Sequence, residues 1–546
     1  MATGPTGGDD RANRPDGPVV GRALAAVVVA GVIVAAVGVV LSAGGQPPNR
    51  ASPVPSAAAT GTPPAPASAA ASASGTASPS ASPSADSSPA SSLPTTALGR
   101  EVVVSERSSP FGSCAVGGPG TVTTNSEVEP FVAVDPTDPA HVAVAWQQDR
   151  WSNGGARGIV VATSGASIGS WTRSEPAFSA CAASTGDLTT RVSDPWIAIS
   201  PDGVAYLTGL SVTQPALTRV TVSRSVDRGR TWSLPTVVAE SRSPSQFNDK
   251  ESVTADPGRP GHAYLVWDQG GDAENASNEE ARGRGSVLLS TTTDGGAHWS
   301  AARTIATQDG TPVGNVLGVL PNGTLVDVFV LAPSSARTPA REVAIASTDG
   351  GRTWSTPVTI ARLEGRNVVG AQPPGIRGGG GLPDVAVDNR SGRVEAVWTD
   401  TQDGRPAVIR STSADGVAWS LPVAIPRPLA TAVFMPSIEV TPAGVLGVEY
   451  TDLRAATPSR PFLADRFLAT SSDGGATWRE RRLTESFDFA TAPDAGGRFL
   501  GDYAGLATAG EQFVSAFART TGDPADPTEL VVRIDPADEP AAIVVP

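Results

Sequence analysis

Residues that could perform acid–base chemistry lie at the starts of short apolar runs in this sequence, except for Arg454, which follows the end of such a run. The set comprises Arg191, Asp194, Asp249, Lys250, Glu251, Asp384, Arg454, Arg498, Asp502 and Tyr503. Lys250 is the single lysine among the 40 Lys and Arg residues of the chain. Because its neighbours Asp249 and Glu251 are acidic, a compact ammonium group at this position is suited to pairing with carboxylates.

Three interpretations fit carboxylates with interspersed arginines, and the sequence leaves all three open. Hydrolysis of a glycosidic bond commonly needs two carboxyl groups with separated pKa values, and arginine forks bind acidic sugars. Clustered carboxylates could instead hold a hard divalent cation such as calcium. Apart from such a cation, we expect no cofactor. The set could also be an ordinary solvated loop surface. With 3 histidines and 2 cysteines in the chain, a histidine-based zinc site is not expected.

A repeated eight-residue pattern indicates which elements position this set. Its copies contain Asp227, Asp294, Asp349, Asp415 and Asp473, and a copy that has lost its Asp spans 163–171. The aspartates are roughly 55 to 67 residues apart, the length of one four-stranded propeller blade with its loops. Asp can accept backbone N–H groups just after it, and Gly supplies positive φ, so each copy predicts a tight turn. We interpret these aspartates as structural.

Short β-type runs bounded by Gly, Pro and Asp accompany each copy of the pattern. We therefore predict an all-β fold over residues 99–546, a β-propeller of four-stranded antiparallel blades. Inner strands near residues 129, 194, 249, 314, 383, 435 and 501 predict seven blades, with six as the alternative. The last repeat lacks a fourth strand, which Glu101–Val104 can supply from the other end of the chain.

Strand order assigns the two faces of such a propeller. The inner strands begin at one face, which we call the upper face, and the chemical set gathers there. The aspartates of the repeated pattern lie on the opposite face. Cys114 and Cys181 fall in upper loops of neighbouring blades, which predicts a disulfide in an exported protein. Two free buried thiols are the alternative.

The pattern S/T-x-D-x-G-x-T-W resembles the Asp-box, or BNR repeat, of the sialidase-like β-propellers, over roughly residues 100 to 540. The resemblance implies a tyrosine nucleophile with a glutamate partner, an aspartate acid/base and an arginine triad. By residue type and face, the catalytic roles would fall to Tyr503, Glu251 (or Glu129), Asp194 and Asp249. Substrate binding would fall to Arg191, Lys250, Asp384, Arg454, Arg498 and Asp502.

Two features depart from the sialidase pattern. The Arg-Ile-Pro motif that supplies the family's first arginine is absent from this sequence, and sialidases have six blades where this chain predicts seven.

We also expect Lys250→Met to abolish function while leaving the melting temperature nearly unchanged, because the residue is assigned to a site and not to the core.

The first 98 residues predict a membrane tether. Residues 1–22 are polar and carry three arginines, and the uncharged run 23–43 is long enough to cross a bilayer as a helix. The positive-inside rule then places the N-terminus in the cytoplasm, which makes the run a signal anchor. A cleaved secretory signal is the alternative. Residues 44–98, rich in Pro, Ala, Ser and Thr, predict a disordered linker.

Together these features predict a membrane-anchored extracellular propeller, monomeric and directed at carbohydrate or a glycoconjugate. One functional class is a sialidase-like exo-glycosidase. The alternative is a non-catalytic glycan- or protein-binding propeller displayed on a stalk. The net charge of −14 argues against a nucleic-acid partner, which would require a basic surface.

Overall fold

The computed structural model describes most of the chain from residue 99 onward and shows an all-β structure. The described segments are 99–116, 119–165, 170–182, 191–213, 217–241, 246–270, 284–334, 338–364, 375–428, 431–537 and 543–545. Within them a single turn of 3₁₀ helix, Phe489–Thr491, is the one helical element. This part of the chain contains no helix long and apolar enough to span a membrane. The predicted segments 1–22, 23–43 and 44–98 lie outside the described residues.

Antiparallel sets of four strands follow one another along the chain. After β1 (Arg100–Val103), the first set is β2 (Glu127–Asp135), β3 (Asp138–Arg150), β4 (Ala156–Ser164) and β5 (Trp171–Ser174). The second is β6 (Arg191–Ile199), β7 (Ala205–Thr213), β8 (Leu217–Ser225) and β9 (Thr236–Glu240). The third is β10 (Asn248–Ala255), β11 (Ala263–Gln269), β12 (Arg284–Thr292) and β13 (Arg303–Asp309).

The next sets repeat this arrangement with small additions. The fourth is β14 (Thr311–Val319), β15 (Leu325–Ala332), β16 (Arg341–Ser347) and β17 (Val358–Arg362). After β18 (Ile376–Arg377), the fifth is β19 (Asp384–Asp388), β20 (Arg393–Gln402), β21 (Arg405–Ser413) and β22 (Val423–Ala424). The sixth is β23 (Val433–Val440), β24 (Leu446–Asp452), β25 (Leu463–Ser471) and β26 (Trp478–Arg482), and β25 also pairs with β27 (Phe487–Asp488).

The last set joins strands from both ends of the described chain. After β28 (Arg498–Phe499) come β29 (Gly505–Thr508), β30 (Gln512–Asp523) and β31 (Asp526–Pro536). Strand β1 pairs with β31 and places Val102 opposite Val532, as the predicted closure requires. The pairing protects the edge of β31, and this part of the sequence prediction is confirmed. The final strand, β32 (Ile543–Val545), pairs with β26.

The first strands of the sets also contact one another in order. Each of β2, β6, β10, β14, β19 and β23 contacts the next in this series, and β29 contacts both β23 and β2. The ends at which these strands begin are therefore brought together, which is what a site assembled from several sets requires. We keep the word upper for this end.

The corner between third and fourth strands is closed by the repeated Asp pattern. Asp349 accepts the backbone N–H of Thr353 at 2.9 Å and the hydroxyls of Ser347 and Thr353. The Ser347 hydroxyl in turn accepts Gly351 N–H, and the Trp354 indole donates to the Gly351 carbonyl. Corresponding bonds occur at Asp227, Asp294, Asp415 and Asp473. These aspartates have local partners and act in turn formation.

Two features hold the sets of strands together. Aromatic residues on second strands are fully buried, with Trp146, Trp267 and Trp398 at 1%, 0% and 0% exposure. Cys114 and Cys181 form a disulfide. The predicted disulfide is confirmed, and it joins the segment before β2 to the segment before β6.

Candidate functional site

A buried cluster of opposite charges lies at the upper ends of the first strands. The Lys250 ammonium nitrogen is 2.9 Å from Asp502 Oδ2, 3.1 Å from Asp194 Oδ1 and 3.5 Å from Glu129 Oε1. All four side chains are at most 7% exposed. The three N–H donors of the ammonium group on β10 thus have three carboxylates as partners, Glu129 on β2, Asp194 on β6 and Asp502 in the segment before β29.

Backbone bulges aim these side chains at one another. The pairing of β6 with β7 shifts register between Ser193 and Trp196, and β2 and β10 shift at the corresponding places. The residue inside each bulge has positive φ, 51° at Glu129 and Asp194 and 48° at Lys250. A non-glycine residue in this region is uncommon and costs roughly 1–3 kcal/mol, so the surrounding structure must hold it there. The bulge turns each side chain out of the strand's regular alternation.

Asp502 is the most heavily bonded carboxylate of the cluster. Arg377 donates to both of its oxygens, from Nε at 3.1 Å and from Nη2 at 2.5 Å, and Gly379 N–H donates at 3.2 Å. Arg377 lies on β18, which pairs in parallel with β28 outside the four-stranded sets. This short ladder brings the guanidinium next to a carboxylate that follows β28 in the sequence.

Burial and neighbouring charges separate the ionisation of the acidic groups. Burial alone would raise the pKa of Asp502, but the charges of Arg377 and Lys250 outweigh it and hold this pKa far below its usual value. For Glu251, burial raises the pKa well above its usual value and the charge of Asp194 adds to the effect. Burial likewise raises the pKa of Glu129 to about 8, against the charge of Lys250.

A small enclosed pocket of about 30 Å³ lies against this cluster. We call it the upper pocket. Its lining includes Phe131, Asp194, Trp196, Lys250, Glu251, Gly314, Asn315, Leu382, Asp384, Asp502 and Tyr503. Both carboxyl oxygens of Glu251 are buried and have no hydrogen-bond partner among the described residues. The volume has room for about two water molecules, since one water needs roughly 10–15 Å³ by this measure.

The remaining acidic and phenolic residues of the predicted set are also at this end. Asp384 lines the upper pocket, and burial raises its pKa to about 7. Asp249 is buried next to Lys250 in the sequence and pairs with Asp268 on β11, and burial and the charge of Asp194 raise its pKa to about 7. Tyr503 donates its hydroxyl to the Pro195 carbonyl at 3.0 Å, and burial raises its pKa well above its usual value.

The three predicted arginines do not converge on the upper pocket. Arg191 donates to Asn153 and to two carbonyl groups, and its guanidinium stacks 3.8 Å from the Trp151 ring. Arg454 forms ion pairs with Asp452 and Glu480. Arg498 lies 4.2 Å from the ring of Phe462. None of the three lines the pocket, so the structure does not bring together the triad that the resemblance implied.

Sequence reasoning missed two parts of the site. Arg377 lies in a glycine-rich segment before an inner strand, and a charged residue among glycines was the available signal. Phe131 and Trp196 each follow a proline at the start of an inner strand. Their rings stack with centroids 3.6 Å apart, and Trp196 meets Tyr503 edge-on at 5.4 Å.

The described residues contain no group of three or more His, Cys, Asp or Glu side chains arranged to hold a metal ion. The carboxyl oxygens of Asp194 and Asp502 instead have the Lys250 ammonium as partner. The possible divalent cation remains a prediction.

Comparison with known proteins gives one family match and several structural similarities. Residues 261–486 match the BNR repeat-like domain. The chain is similar to the Hadza microbial sialidase Hz136, with 17% identity, 73% of this chain and 74% of that chain covered, and a TM-score of 0.42. It is also similar to Penicillium chrysogenum α-L-arabinanase complexed with arabinobiose, with 15% identity, 64% and 95% coverage and a TM-score of 0.39. The chain is likewise similar to a Dyadobacter fermentans protein of unknown function, with 12% identity and a TM-score of 0.41. The similarity covers 76% of this chain and 97% of that chain. No curated protein matches the chain.

Proposed function

We propose that the upper pocket of this chain, of which residues 261–486 match the BNR repeat-like domain, binds a carbohydrate and hydrolyses a glycosidic bond. The observation that carries the proposal is the contrast between two carboxyl groups that face this pocket. Asp502 is paired with Arg377 and Lys250, whose charges outweigh burial and lower its pKa. Glu251 has no hydrogen-bond partner among the described residues, and burial raises its pKa. One carboxylate and one carboxylic acid facing the same pocket are the pair that glycoside hydrolysis uses.

In this proposal Glu251 is the general acid. Its protonated carboxyl group has no partner that would compete for the proton among the described residues, so it can donate to the leaving oxygen. The carboxylates of Asp194 and Asp502 stabilise the positive charge that develops on the sugar as the glycosidic bond breaks. A water molecule then forms the new bond to the anomeric carbon, and the Glu251 carboxylate left by the first proton transfer takes up the proton of that water. Tyr503 is less suited to act as nucleophile in this arrangement, because its hydroxyl donates to the Pro195 carbonyl and its raised pKa disfavours the phenolate.

The charge of the pocket favours a neutral glycoside over an acidic one. Four carboxyl groups line it, from Asp194, Glu251, Asp384 and Asp502, and Lys250 is the one cationic side chain in the lining. The donors of that ammonium group already serve carboxylates. The carboxylate of an acidic sugar would therefore find no free cationic side chain in the lining to pair with.

A second candidate is a non-catalytic propeller that binds a glycan or protein. The small volume of the upper pocket supports it, because a sugar ring would enter only after the lining moves apart. The neutralisation of Asp194 and Asp502 by Lys250 also fits a structural cluster.

A panel of aryl glycosides, including a sialoside, separates these candidates when it is offered to the full-length protein. We expect turnover of a neutral glycoside, its loss in Glu251→Gln, and its retention in Glu342→Gln. Glu342 is the matched control because it is also buried, and its two carboxyl oxygens have no hydrogen-bond partner among the described residues. It lies on β16, outside the lining of the upper pocket. Glycan-array binding without turnover would favour the second candidate.

We further propose that the strand sets close into a ring of seven blades. The cyclic contacts of the first strands, with β29 touching both β23 and β2, support this number.

We also propose that residues 23–43 anchor the propeller outside the cell. The Cys114–Cys181 disulfide supports an oxidising compartment. Protease added to intact cells should release a fragment of roughly residues 50–546. A secreted protein beginning near Gly44 would contradict the anchor.

A further inference from the structure

A second and larger cavity extends below the upper pocket. It has a volume of about 610 Å³ and runs along the first strands from Phe131, Trp196 and Asp384 to the strand ends near Asn389 and Thr441. We call it the lower cavity. Its volume falls in the range of roughly 300–1,000 Å³ that is typical of small-molecule sites. Nothing in the proposed hydrolysis uses it.

Two carboxyl groups from neighbouring strands lie on one side of the lower cavity. Asp384 accepts Val385 N–H and Ile438 N–H, each at 2.9 Å, and Glu439 accepts Val440 N–H at 3.1 Å. Neither carboxyl group has an ion-pair partner in the described part of the chain. Burial raises the pKa of Asp384 to about 7 and that of Glu439 to about 8, where the charge of Asp384 adds to the effect. Both groups would therefore gain from a cation placed between them.

The other walls of the lower cavity suit an apolar stem and a cation, but not an anion. Phe131 and Trp196 are stacked at the inner end, and aromatic faces attract organic cations. Aliphatic side chains, including those of Ala198 and Ile438, line part of the wall beside its polar groups. Arg390 is the cationic residue of the lining, and it is exposed at the outer end, where it donates to the Ala443 carbonyl. Among the described residues, no group of three or more His, Cys, Asp or Glu side chains is arranged here to hold a metal ion.

From this combination we infer that the lower cavity is a binding site for an organic cation of the alkylammonium type. Its stem lies along the aliphatic wall, and its ammonium group lies between the carboxyl groups of Asp384 and Glu439 and the rings of Phe131 and Trp196. The inference does not rest on the proposed hydrolysis, because the cation would bind without Glu251 or Asp502, although Phe131, Trp196 and Asp384 line both spaces.

Calorimetric titration of the full-length protein with three probes of equal chain length tests the inference. The probes are hexyltrimethylammonium, hexanol and hexanoate, which differ in head-group charge. We expect saturable binding of the cation alone. Equal binding of hexanol or hexanoate would overturn the inference, as would the absence of saturable binding by any probe, which would mean that the cavity holds only water.

Three variants locate the binding. Glu439→Gln removes one carboxylate and should weaken binding of hexyltrimethylammonium by about tenfold or more. Losing a charge contact that is partly shielded from water has an effect of this size. Ala198→Phe fills the cavity without changing charge and should abolish binding. Asp202→Asn removes an exposed carboxylate outside the cavity lining and should bind like the unaltered protein. Thermal melts identify any variant that fails to fold. Unchanged affinity in a folded Glu439→Gln would refute the assignment.

Discussion

Replacing Lys250 with methionine should destabilise the protein strongly. The substitution leaves Asp194, Asp502 and Glu129 around an apolar side chain, although all four positions are at most 7% exposed. Removing one partner of a buried ion pair costs about 3–5 kcal/mol. That is a large share of a domain's total stability of roughly 5–15 kcal/mol. The sequence had suggested an unchanged melting temperature, and burial of the ammonium group reverses that expectation.

The cost should depend on pH in a defined direction. Without the ammonium group, the pKa of Glu129, which burial already raises, should rise further, and the lowered pKa of Asp502 should rise because one of its two cationic partners is lost. A raised folded pKa contributes stability at low pH that is lost as pH increases through it. The difference in unfolding free energy between Lys250→Met and the unaltered protein should therefore be smaller at pH 5 than at pH 8.

Urea unfolding at both pH values, followed by tryptophan fluorescence, measures this effect. The double variant Lys250→Met/Asp194→Asn is the control, because removing one stranded carboxylate should restore part of the loss at pH 8. If Lys250→Met unfolds at the same urea concentration as the unaltered protein at pH 8, the cluster is not the tightly paired buried unit described here.

Three other perturbations have definite expected outcomes. Gly379→Ala would place a Cβ atom 1.8 Å from the Asp502 carbonyl oxygen, at a backbone φ of +75°; turnover should fall while far-UV circular dichroism stays unchanged, and normal turnover would show that Asp502 need not be held there. Asp327 is fully buried with both oxygens unpartnered among the described residues, and burial raises its pKa. Asp327→Asn should therefore raise the melting temperature more at pH 8 than at pH 5, since only the carboxyl form loses stability as pH rises; an equal shift at both pH values would contradict this. Deleting residues 100–107 removes β1 and exposes the edge of β31, so light scattering should detect aggregation; a monodisperse deletion variant would argue against closure.

The repeats made much of the fold predictable. Each Asp-containing turn is closed by residues within a few positions of Asp349 or its counterparts, so local sequence was sufficient. The missing fourth strand of the last repeat pointed to Val102 and its neighbours, because the other repeats defined what was lacking.

The site was only partly predictable because its partners come from outside the repeat. Arg377 and Asp502 are 125 residues apart and meet through the parallel pair β18 and β28, which belongs to no four-stranded set. Arg454 was misleading for the opposite reason. Arg454 pairs with Asp452 and Glu480 in the sixth set. Residue type alone does not tell whether an arginine pairs with such neighbours or faces the upper pocket.

The most direct test of the proposed hydrolysis compares two leaving groups in Glu251→Gln. A dinitrophenyl glycoside departs without a proton, whereas a phenyl glycoside needs one from the general acid. If Glu251 is that acid, kcat/KM for the phenyl substrate should fall by about 10²–10⁴ relative to the unaltered protein. The same constant for the dinitrophenyl substrate should change little. An equal loss for both substrates, or no loss for either, would contradict the assignment of Glu251 and with it the proposed use of the upper pocket.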